Sequence, residues 1–267
     1  MARQHCLEVG KKIKLAKITT RGKDLHQDRD AAEREFEKLR STLVDLQNRL
    51  YAEGERKLLI VFQATDAGGK DGTIRNVFKG VNPQGVRVTS FKKPTDEELA
   101  HDFLWRIHRA VPAAGMIGVF NRSHYEDVLV VRVRGLAPEA VWRPRYEQIN
   151  EFEHLLTATG TKILKFYLHI SKEEQAERFQ ARIDDPAKHW KFNHDDLKKR
   201  QLWDDYEAAH EEMLNQCTTK HAPWYVIPAD QKWYRNLAIA QVLVDTLQRM
   251  DPRYPEADAG ISDVVIE

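Results

Sequence analysis

Short apolar runs alternate along the chain with longer stretches in which apolar residues recur every three or four positions. The run 58–62 is apolar throughout, which is typical of a strand covered on both faces of a parallel sheet. Four further runs are also strand candidates. The predicted strands cover residues 58–62, 86–91, 116–120, 163–170 and 224–227.

The stretch 28–52 is the clearest amphipathic helix. Its apolar residues recur at three- and four-residue steps with charges between them, and Gly54 follows in the position of a C-terminal cap. The apolar face is expected to pack on the same domain or on a second subunit. It consists of Phe36, Leu39, Leu43, Leu46 and Leu50.

Other helical patterns separate the predicted strands. Two of them begin with the spacing of a capping box, Thr95 with Glu98 and Ser171 with Glu174. The stretch after Ser171 has no strand near it, so we interpret 172–206 as a lid over the sheet. Besides one helix that begins near Asp71, the predicted helices cover residues 28–52, 95–110, 122–134, 139–159, 172–216 and 231–250.

Alternating strands and helices predict an α/β fold built on a mostly parallel, doubly wound sheet. We interpret residues 1–267 as a single domain. Residues 1–27 are basic and weakly patterned, which indicates an irregular N-terminal arm or a short strand.

Composition narrows the function classes. The chain has 42 Lys and Arg residues against 41 Asp and Glu, a net charge of +1, whereas duplex-DNA binders usually show a basic excess. We therefore expect no nucleic-acid partner, and any polyanion must bind at local basic clusters. Hydrophobic residues make up 42%, which is enough for a packed core.

No feature indicates export or a membrane. No apolar run approaches the ~20 residues that span a bilayer, and the N-terminus has no apolar signal segment. Cys6 and Cys217 are too few for a disulfide framework or a four-cysteine zinc site, which favours unpaired thiols in a reducing compartment. The sequence thus predicts a soluble cytoplasmic protein with no membrane partner.

A glycine-rich segment lies between the first predicted strand and a helix, where phosphate loops form. Glycines let backbone N–H groups turn toward an anion, and the helix N-terminus adds unpaired donors. Lys70 would bring a mobile positive charge to a transferred phosphoryl group. A tight turn with a solvated lysine is the alternative. The residues expected to bind phosphate are Ala67, Gly68, Gly69, Lys70, Asp71, Gly72 and Thr73.

The segment departs from the usual phosphate-loop pattern at two positions. Ala64 stands where the first glycine is expected, and Asp71 stands where a Ser or Thr normally ligates Mg²⁺. Two carboxylates, Asp66 and Asp71, would repel a phosphate unless a cation bridges them. Asp66 is therefore a candidate metal ligand, directly or through water.

A second polar cluster follows the strand 116–120. Phosphate-loop kinases normally carry a magnesium-binding acid at this strand end, but here the residue is Asn121. The nearest acids, Glu126 and Asp127, are the candidate replacements, with solvated helix positions as the alternative. Arg122 would point toward the crevice where ligands bind in such sheets.

A polyanionic chain would need a row of cations in a protein of near-zero net charge. Arg75 and Lys79 are four residues apart and share a helix face. The lid carries eight Lys and Arg residues against nine acids, so a self-paired surface element is the alternative there. The candidate phosphate contacts outside the loop are Arg75, Lys79, Arg122, His124, Arg132, Arg178 and Arg182; a core or capping role fits His124 equally.

Six strings between about residues 30 and 250 are similar to those of the type-2 polyphosphate kinases. The string 121–127 resembles the third class of that family, whose members phosphorylate nucleoside mono- and diphosphates. The six strings are Asp66 to Gly72, Val81 to Val88, Phe120 to Asp127, Lys191 to Phe192, Ala222 to Ala229 and Trp233 to Asn236.

The resemblance implies a three-layer phosphate-loop kinase fold of the thymidylate-kinase type, with a five-stranded sheet and a helical lid. It also implies that inorganic polyphosphate donates its terminal phosphate to AMP and ADP, giving ADP and ATP, with Mg²⁺ or Mn²⁺ as cofactor. Asn121 departs from the aspartate of the other classes. A homo-oligomer is expected. The residues matched to the family's catalytic positions are Asp66, Lys70, Arg122 and, on the lid helix, Arg178.

The acceptor nucleotide is expected to contact residues 91–106. Phe91 could stack on a base, and an acid such as Glu98 or Asp102 could bind a base amino group. The alternative is that Phe91 and Trp105 belong to the core.

Two other functions fit parts of the sequence. An ATP-dependent nucleoside monophosphate kinase would share the fold, but Asp71 in place of Ser or Thr departs from that class. A polyanion-binding module without catalysis would use the same basic residues. The balanced charge and a loop lysine beside candidate metal acids argue against it.

Overall fold

Five parallel strands form one sheet in the computed structural model, which describes residues 4–261 and 266. The strand order is β2-β3-β1-β4-β5, and every predicted strand is present within about two residues of its expected ends. The strands are β1 (Lys57–Gln63), β2 (Val86–Ser90), β3 (Ile117–Asn121), β4 (Thr161–His169) and β5 (Trp224–Pro228).

Helices cover both faces of this sheet. They are α1 (Arg29–Glu53), α2 (Lys70–Val77), α3 (Asp96–Leu99), α4 (Trp105–His108), α5 (Glu126–Val133), α6 (Glu139–Trp142), α7 (Arg145–Ala158), α8 (Lys172–Ile183), α9 (His194–Gln201), α10 (Trp203–Gln216) and α11 (Lys232–Met250). Alternate residues of β1 face opposite layers: Ile60 packs with α1, α2 and α11, whereas Val61 packs with α5, α7 and α10. The predicted three-layer α/β fold is confirmed.

Helix α1 packs on its own chain. Its N-cap Asp28 accepts a hydrogen bond from the N–H of Ala31, and Gly54 ends it in the left-handed conformation at φ 72°. Buried Phe36, Leu43 and other apolar residues join the layer that contains α11. Of the two packing modes expected from the sequence, the intramolecular one is therefore formed.

Prolines break two of the predicted helices. The stretch 139–159 divides at Pro144 into α6 and α7, because proline removes a backbone donor and restricts the residue before it. The stretch 172–216 divides at Pro186, which begins a 3₁₀ turn between α8 and α9, and again at Leu202. The predicted lid 172–206 therefore consists of α8, this turn, α9 and the start of α10.

Two further predicted helices differ from the structure. The predicted helix 95–110 is divided into two short helices, α3 and α4. Helix α5 begins at Glu126 rather than at residue 122, because Arg122 is left-handed at φ 62°. Thr95 and Glu98 form the predicted capping box. Ser171 accepts from the N–H of Glu174, but the return bond is missing, since the Glu174 carboxylate pairs with Arg178 instead.

The N-terminal arm is irregular apart from two 3₁₀ turns. The N–H of Leu7 donates to the Trp224 carbonyl, and the N–H of Val226 donates to the His5 carbonyl, so the arm lies antiparallel on the edge of β5.

Some residues of these predictions lie outside the described residues. They are residues 1–3 of the predicted arm and residues 262–265 and 267 of the predicted single domain. The assignment of one domain to the chain stays a prediction. Within the described chain, no helix is long and apolar enough to cross a membrane.

Candidate functional site

The glycine-rich segment forms a tight loop between β1 and α2. Ala67 and Gly69 are left-handed, at φ 59° and 99°. A side chain on Gly68 would come within 2.4 Å of the Ala64 methyl group, and one on Gly69 within 2.2 Å of Nη1 of Arg235. Close packing therefore requires glycine at position 68, and the left-handed backbone favours it at position 69. The loop leads directly into the N-terminus of α2, where backbone donors can bind an anion.

Lys70 is folded back over this loop. Its Nζ donates to the carbonyl of Ala64 at 3.0 Å, and its side chain is almost completely buried. Burial, followed by the nearby Arg122 charge, lowers the pKa of Lys70 to about 8. The charges of Asp66, Glu126 and Asp71 oppose this lowering only in part, and a bound phosphate would add negative charge beside the ammonium.

Asp66 is the centre of the charged groups at the loop. Its Oδ1 accepts from Nη2 of Arg122 at 2.6 Å, and its Oδ2 lies 2.9 Å from Nζ of Lys199. Burial alone would raise the pKa of Asp66, but Arg122, Lys70 and Lys199 outweigh it and hold this pKa well below its usual range. The carboxylate is therefore ionised at neutral pH.

Arg122 connects the two acidic clusters predicted from the sequence. It follows the end of β3, beside β1 in the sheet, and its Nη1 donates to Glu126 Oε2 at 2.9 Å. Because one guanidinium binds both Asp66 and Glu126, these carboxylates lie close together.

The remaining candidate acids have other partners. Asp71 is exposed and accepts a 2.5 Å hydrogen bond from the side chain of Asn121. Asp127 lies 3.1 Å from Arg145, and burial raises its pKa to about 6. No group of three or more His, Cys, Asp or Glu side chains within the part of the chain that the structure describes could hold a metal ion alone.

A cavity of about 1110 Å³ opens beside the loop. This volume accommodates a nucleotide-sized ligand. Its lining includes Asp66 and Arg122, and also residues 91–94 together with Arg106. Residues of the lid close another side; they are Gln175, Lys191, Asn193, Lys199, Trp203 and Tyr206.

The lid is docked on the phosphate loop. Nη1 of Arg178 donates to the Ala67 carbonyl at 2.9 Å, and Nε2 of Gln175 donates to the Asp66 carbonyl at 2.8 Å. With Lys199, these contacts hold α8 and α9 against the loop. Arg182 instead stays within the lid, bonding the Lys191 carbonyl, which agrees with the self-paired alternative for this residue.

Two other predicted phosphate contacts, His124 and Arg132, are not brought to the loop. His124 is completely buried and lies 3.3 Å from Glu153, so it contacts no phosphate in this conformation. Arg132 pairs with Glu212 at 2.5 Å and stacks on Trp142, outside the lining of the large cavity. In this structure both residues therefore pack and pair with protein groups, and their predicted contact with phosphate stays a prediction.

Arg75 and Lys79 are exposed, as a shared helix face requires, but Lys79 lies just beyond the end of α2. Neither lines the cavity. Their predicted contact with a polyanion stays a prediction.

The structure adds three basic residues that the sequence analysis did not single out. Arg235 on α11 is 2% exposed and makes no ion pair in the described chain, where its guanidinium bonds only to the side chain of its neighbour Asn236. Its pKa is lowered to about 9 by burial and by Arg178. Burial, followed by the Arg178 charge, also lowers the pKa of Lys232. With Lys199, these groups surround the loop with positive charge.

The chain is similar to known proteins. A family model described as Polyphosphate kinase 2 (PPK2) matches residues 26–255. The chain is 56% identical over 229 residues to the AMP/ADP-polyphosphate phosphotransferase of Meiothermus ruber, which covers 86% of each chain. It is 46% identical over 259 residues to the ADP-polyphosphate phosphotransferase of Rhodopseudomonas palustris, with 92% of this chain and 90% of that one covered.

A solved structure is similar over nearly the whole fold. The crystal structure of Polyphosphate Kinase 2 from Arthrobacter aurescens matches with a TM-score of 0.92 at 44% sequence identity, and the match covers 96% of this chain and 93% of that one.

Proposed function

Because the chain belongs to the polyphosphate kinase 2 family, we propose that it transfers the terminal phosphoryl group of inorganic polyphosphate to AMP and to ADP, forming ADP and ATP. One observation carries the proposal beyond the family: Lys70, Arg178 and Arg235 converge on a phosphate loop whose cavity side carries Asp66 and Arg122. Phosphoryl transfer depends mainly on positioning and on neutralising charge.

In this mechanism each side chain has a defined task. Lys70 neutralises charge on the migrating phosphoryl group. Arg122 neutralises the same charge from the side of the cavity where the acceptor nucleotide binds. Arg178 holds the lid on the loop and excludes water. The acceptor nucleotide extends toward residues 91–94 and Arg106, whose guanidinium lies 5.4 Å from the centre of the Phe91 ring.

The residues at the loop fit a divalent cation, and we propose Mg²⁺, for which Mn²⁺ can substitute. Mg²⁺ is usually held by one or two carboxylates, waters and substrate phosphates rather than by a full set of protein ligands. Asp66 and Glu126, which share Arg122, are the proposed carboxylates. The cation supplies charge neutralisation to the phosphates when bound.

The choice between Glu126 and Asp127 is testable. Glu126→Gln should raise the Mg²⁺ concentration for half-maximal activity by roughly tenfold, because it removes a ligand charge beside Asp66. Asp127→Asn should leave that concentration unchanged, since Asp127 pairs with Arg145. Titration of the activity of both variants with Mg²⁺ measures this concentration. An unchanged value in Glu126→Gln would exclude Glu126 as a metal ligand.

The dependence of binding on ionic strength tests whether polyphosphate, the phosphate donor, binds to the basic residues around the loop; we call this cluster the donor site. A long polyphosphate displaces counterions from several basic groups, so its apparent affinity should fall steeply with ionic strength, and that of AMP only gently. Lys232→Gln should reduce the polyphosphate salt slope by about one unit, because it removes one of the positive charges around the loop. Arg249→Gln, which removes an exposed pair with Asp245 at the other end of α11, is the matched control. Equal salt responses of the two substrates would contradict this donor site.

The activity itself is tested by chromatography of nucleotides. With polyphosphate and Mg²⁺, AMP should yield ADP and then ATP, and omission of polyphosphate should abolish both products. Conversion of ATP and AMP to ADP at a higher rate than the polyphosphate reaction would favour an ATP-dependent nucleoside monophosphate kinase instead.

A homo-oligomeric state and a cytoplasmic location are also part of this proposal. Size-exclusion chromatography with light scattering tests the first. A mass equal to that of one 31.1 kDa chain at assay concentrations would contradict it.

A further inference from the structure

A charged network lies inside the protein, behind the candidate site. Lys165 on β4 and Glu153 on α7 are both completely buried, and Nζ of Lys165 lies 2.6 Å from Glu153 Oε2. The hydroxyl of Tyr125, also completely buried, donates to Glu153 Oε1 at 2.7 Å. His124 lies against the same carboxylate. The network thus binds the two residues that come directly before α5.

Every proton of the Lys165 ammonium has an acceptor. The three acceptors are Glu153 Oε2, the Tyr125 hydroxyl at 2.8 Å and the Cys217 carbonyl at 2.7 Å. The ammonium also lies over the rings of Tyr125 and Trp224, at 5.3 and 5.2 Å from their centres. Such complete satisfaction fixes the Tyr125 side chain in one position.

A buried ion pair is a poor source of stability. The desolvation of two charges offsets their attraction, and apolar side chains of similar volume often stabilise a protein as well or better. The stability of the fold therefore does not explain why charged residues occupy positions 153 and 165. Their geometry suggests another task.

The network adjoins the turn that carries Arg122. Arg122 adopts a left-handed backbone, which is unfavourable for a residue with a side chain. The turn is held on one side by the N–H of Arg122, which donates to the Phe62 carbonyl at 3.1 Å. On the other side Ser123, His124 and Tyr125 run into the core, where Tyr125 meets Glu153 and Lys165.

We propose that Lys165, Glu153 and the Tyr125 hydroxyl are positioning residues that hold the turn 121–126, so that Arg122 faces Asp66 and Glu126. This inference rests on the proposed function of Arg122. The network touches no substrate. It acts by restricting where the Arg122 guanidinium can lie.

Two variants test the network. Tyr125→Phe removes only the hydroxyl, and Lys165→Met with Glu153→Leu removes both charges while keeping similar volumes. Tyr225→Phe is the matched control, because Tyr225 is a buried tyrosine in the opposite layer, packed on Phe166. Each network variant should lower kcat by up to ~10²-fold, since small misplacements at a reacting centre have effects of this size. KM for polyphosphate should stay within about twofold.

Hydrogen exchange separates this role from a general loss of structure and does not depend on the reaction. The peptide that contains residues 121–126 should exchange faster in both network variants, while peptides of α1 and α11 keep their wild-type rates. Unchanged exchange at 121–126, faster exchange throughout the chain, or wild-type kcat in the charge-free variant would each overturn the proposal. If the wild-type protein forms no ATP from polyphosphate, the proposed function fails, and the exchange result still decides whether the network holds the turn.

Discussion

Lys70→Ala is expected to lower turnover by roughly 10³-fold or more, the range found when a charge aimed at a phosphoryl or oxyanion transition state is removed. Lys70 is the basic side chain that arises from the loop itself, and its Nζ is held at the loop carbonyls of Ala64 and Thr65. The variant should remain folded, because among the residues that the structure describes Lys70 forms hydrogen bonds to the Ala64 and Thr65 carbonyls and no ion pair. ATP formation from ADP and polyphosphate measures the effect.

The control for this variant is Lys162→Ala. Lys162 is an exposed lysine near the start of β4, at the end of the sheet away from the loop. It should keep wild-type turnover. A Lys70→Ala enzyme with a tenth or more of wild-type turnover would remove Lys70 from the mechanism.

Asp66→Asn is expected to have the second-largest effect, a loss of roughly 10²-fold or more. The substitution keeps the shape but removes the charge that Arg122 and Lys199 share, and it weakens the proposed cation site. Excess Mg²⁺ should restore activity only in part. Because the pKa of Asp66 is held low in the folded protein, its ionised form also stabilises the fold at neutral pH, and this contribution is lost as the pH falls.

Lys199→Met separates the two roles of Asp66. It removes the lid contact but keeps the carboxylate, so the Mg²⁺ concentration for half-maximal activity should stay near its wild-type value. Thermal denaturation of both variants shows whether they remain folded at the assay temperature. A Mg²⁺ midpoint that shifts equally in Lys199→Met and Asp66→Asn would show that Asp66 acts through the lid alone.

The sequence predicted the centre of this site because the fold brings strand ends together by a simple rule. Asp66 and Lys70 follow β1, Arg122 follows β3, and these neighbouring parallel strands end at the same edge of the sheet. The apolar runs were long enough to identify both strands. Two local motifs therefore sufficed to place a lysine, an acid and an arginine near one another.

Residues from distant elements were harder to predict. Arg235 reaches Gly69 only through the packing of α11 against the loop, which no local pattern records. His124 belongs to a string that suggested phosphate chemistry, yet its ring is completely buried and lies 3.3 Å from Glu153. One signal was available: Lys165 is a charge inside the apolar run 163–170, where a strand covered on both faces should have none unless a buried partner exists.

The contacts of the lid with the loop could likewise not be predicted from the sequence. Its acids and bases are nearly balanced, so composition did not distinguish a self-paired element from one that contacts the loop. Nη1 of Arg178 reaches the Ala67 carbonyl of the loop, whereas Arg182, one turn later, bonds the Lys191 carbonyl within the lid. Which basic residues of an amphipathic helix face a ligand depends on how the helix docks.

The central claim is tested most directly by ³¹P NMR of a single reaction mixture that contains the enzyme, AMP, Mg²⁺ and long-chain polyphosphate. We predict that each ATP formed is matched by the loss of two phosphoryl groups from polyphosphate, with little orthophosphate released, and that Lys70→Ala shows neither change. Loss of polyphosphate as orthophosphate without ATP, or ATP formed with polyphosphate intact, would contradict the account.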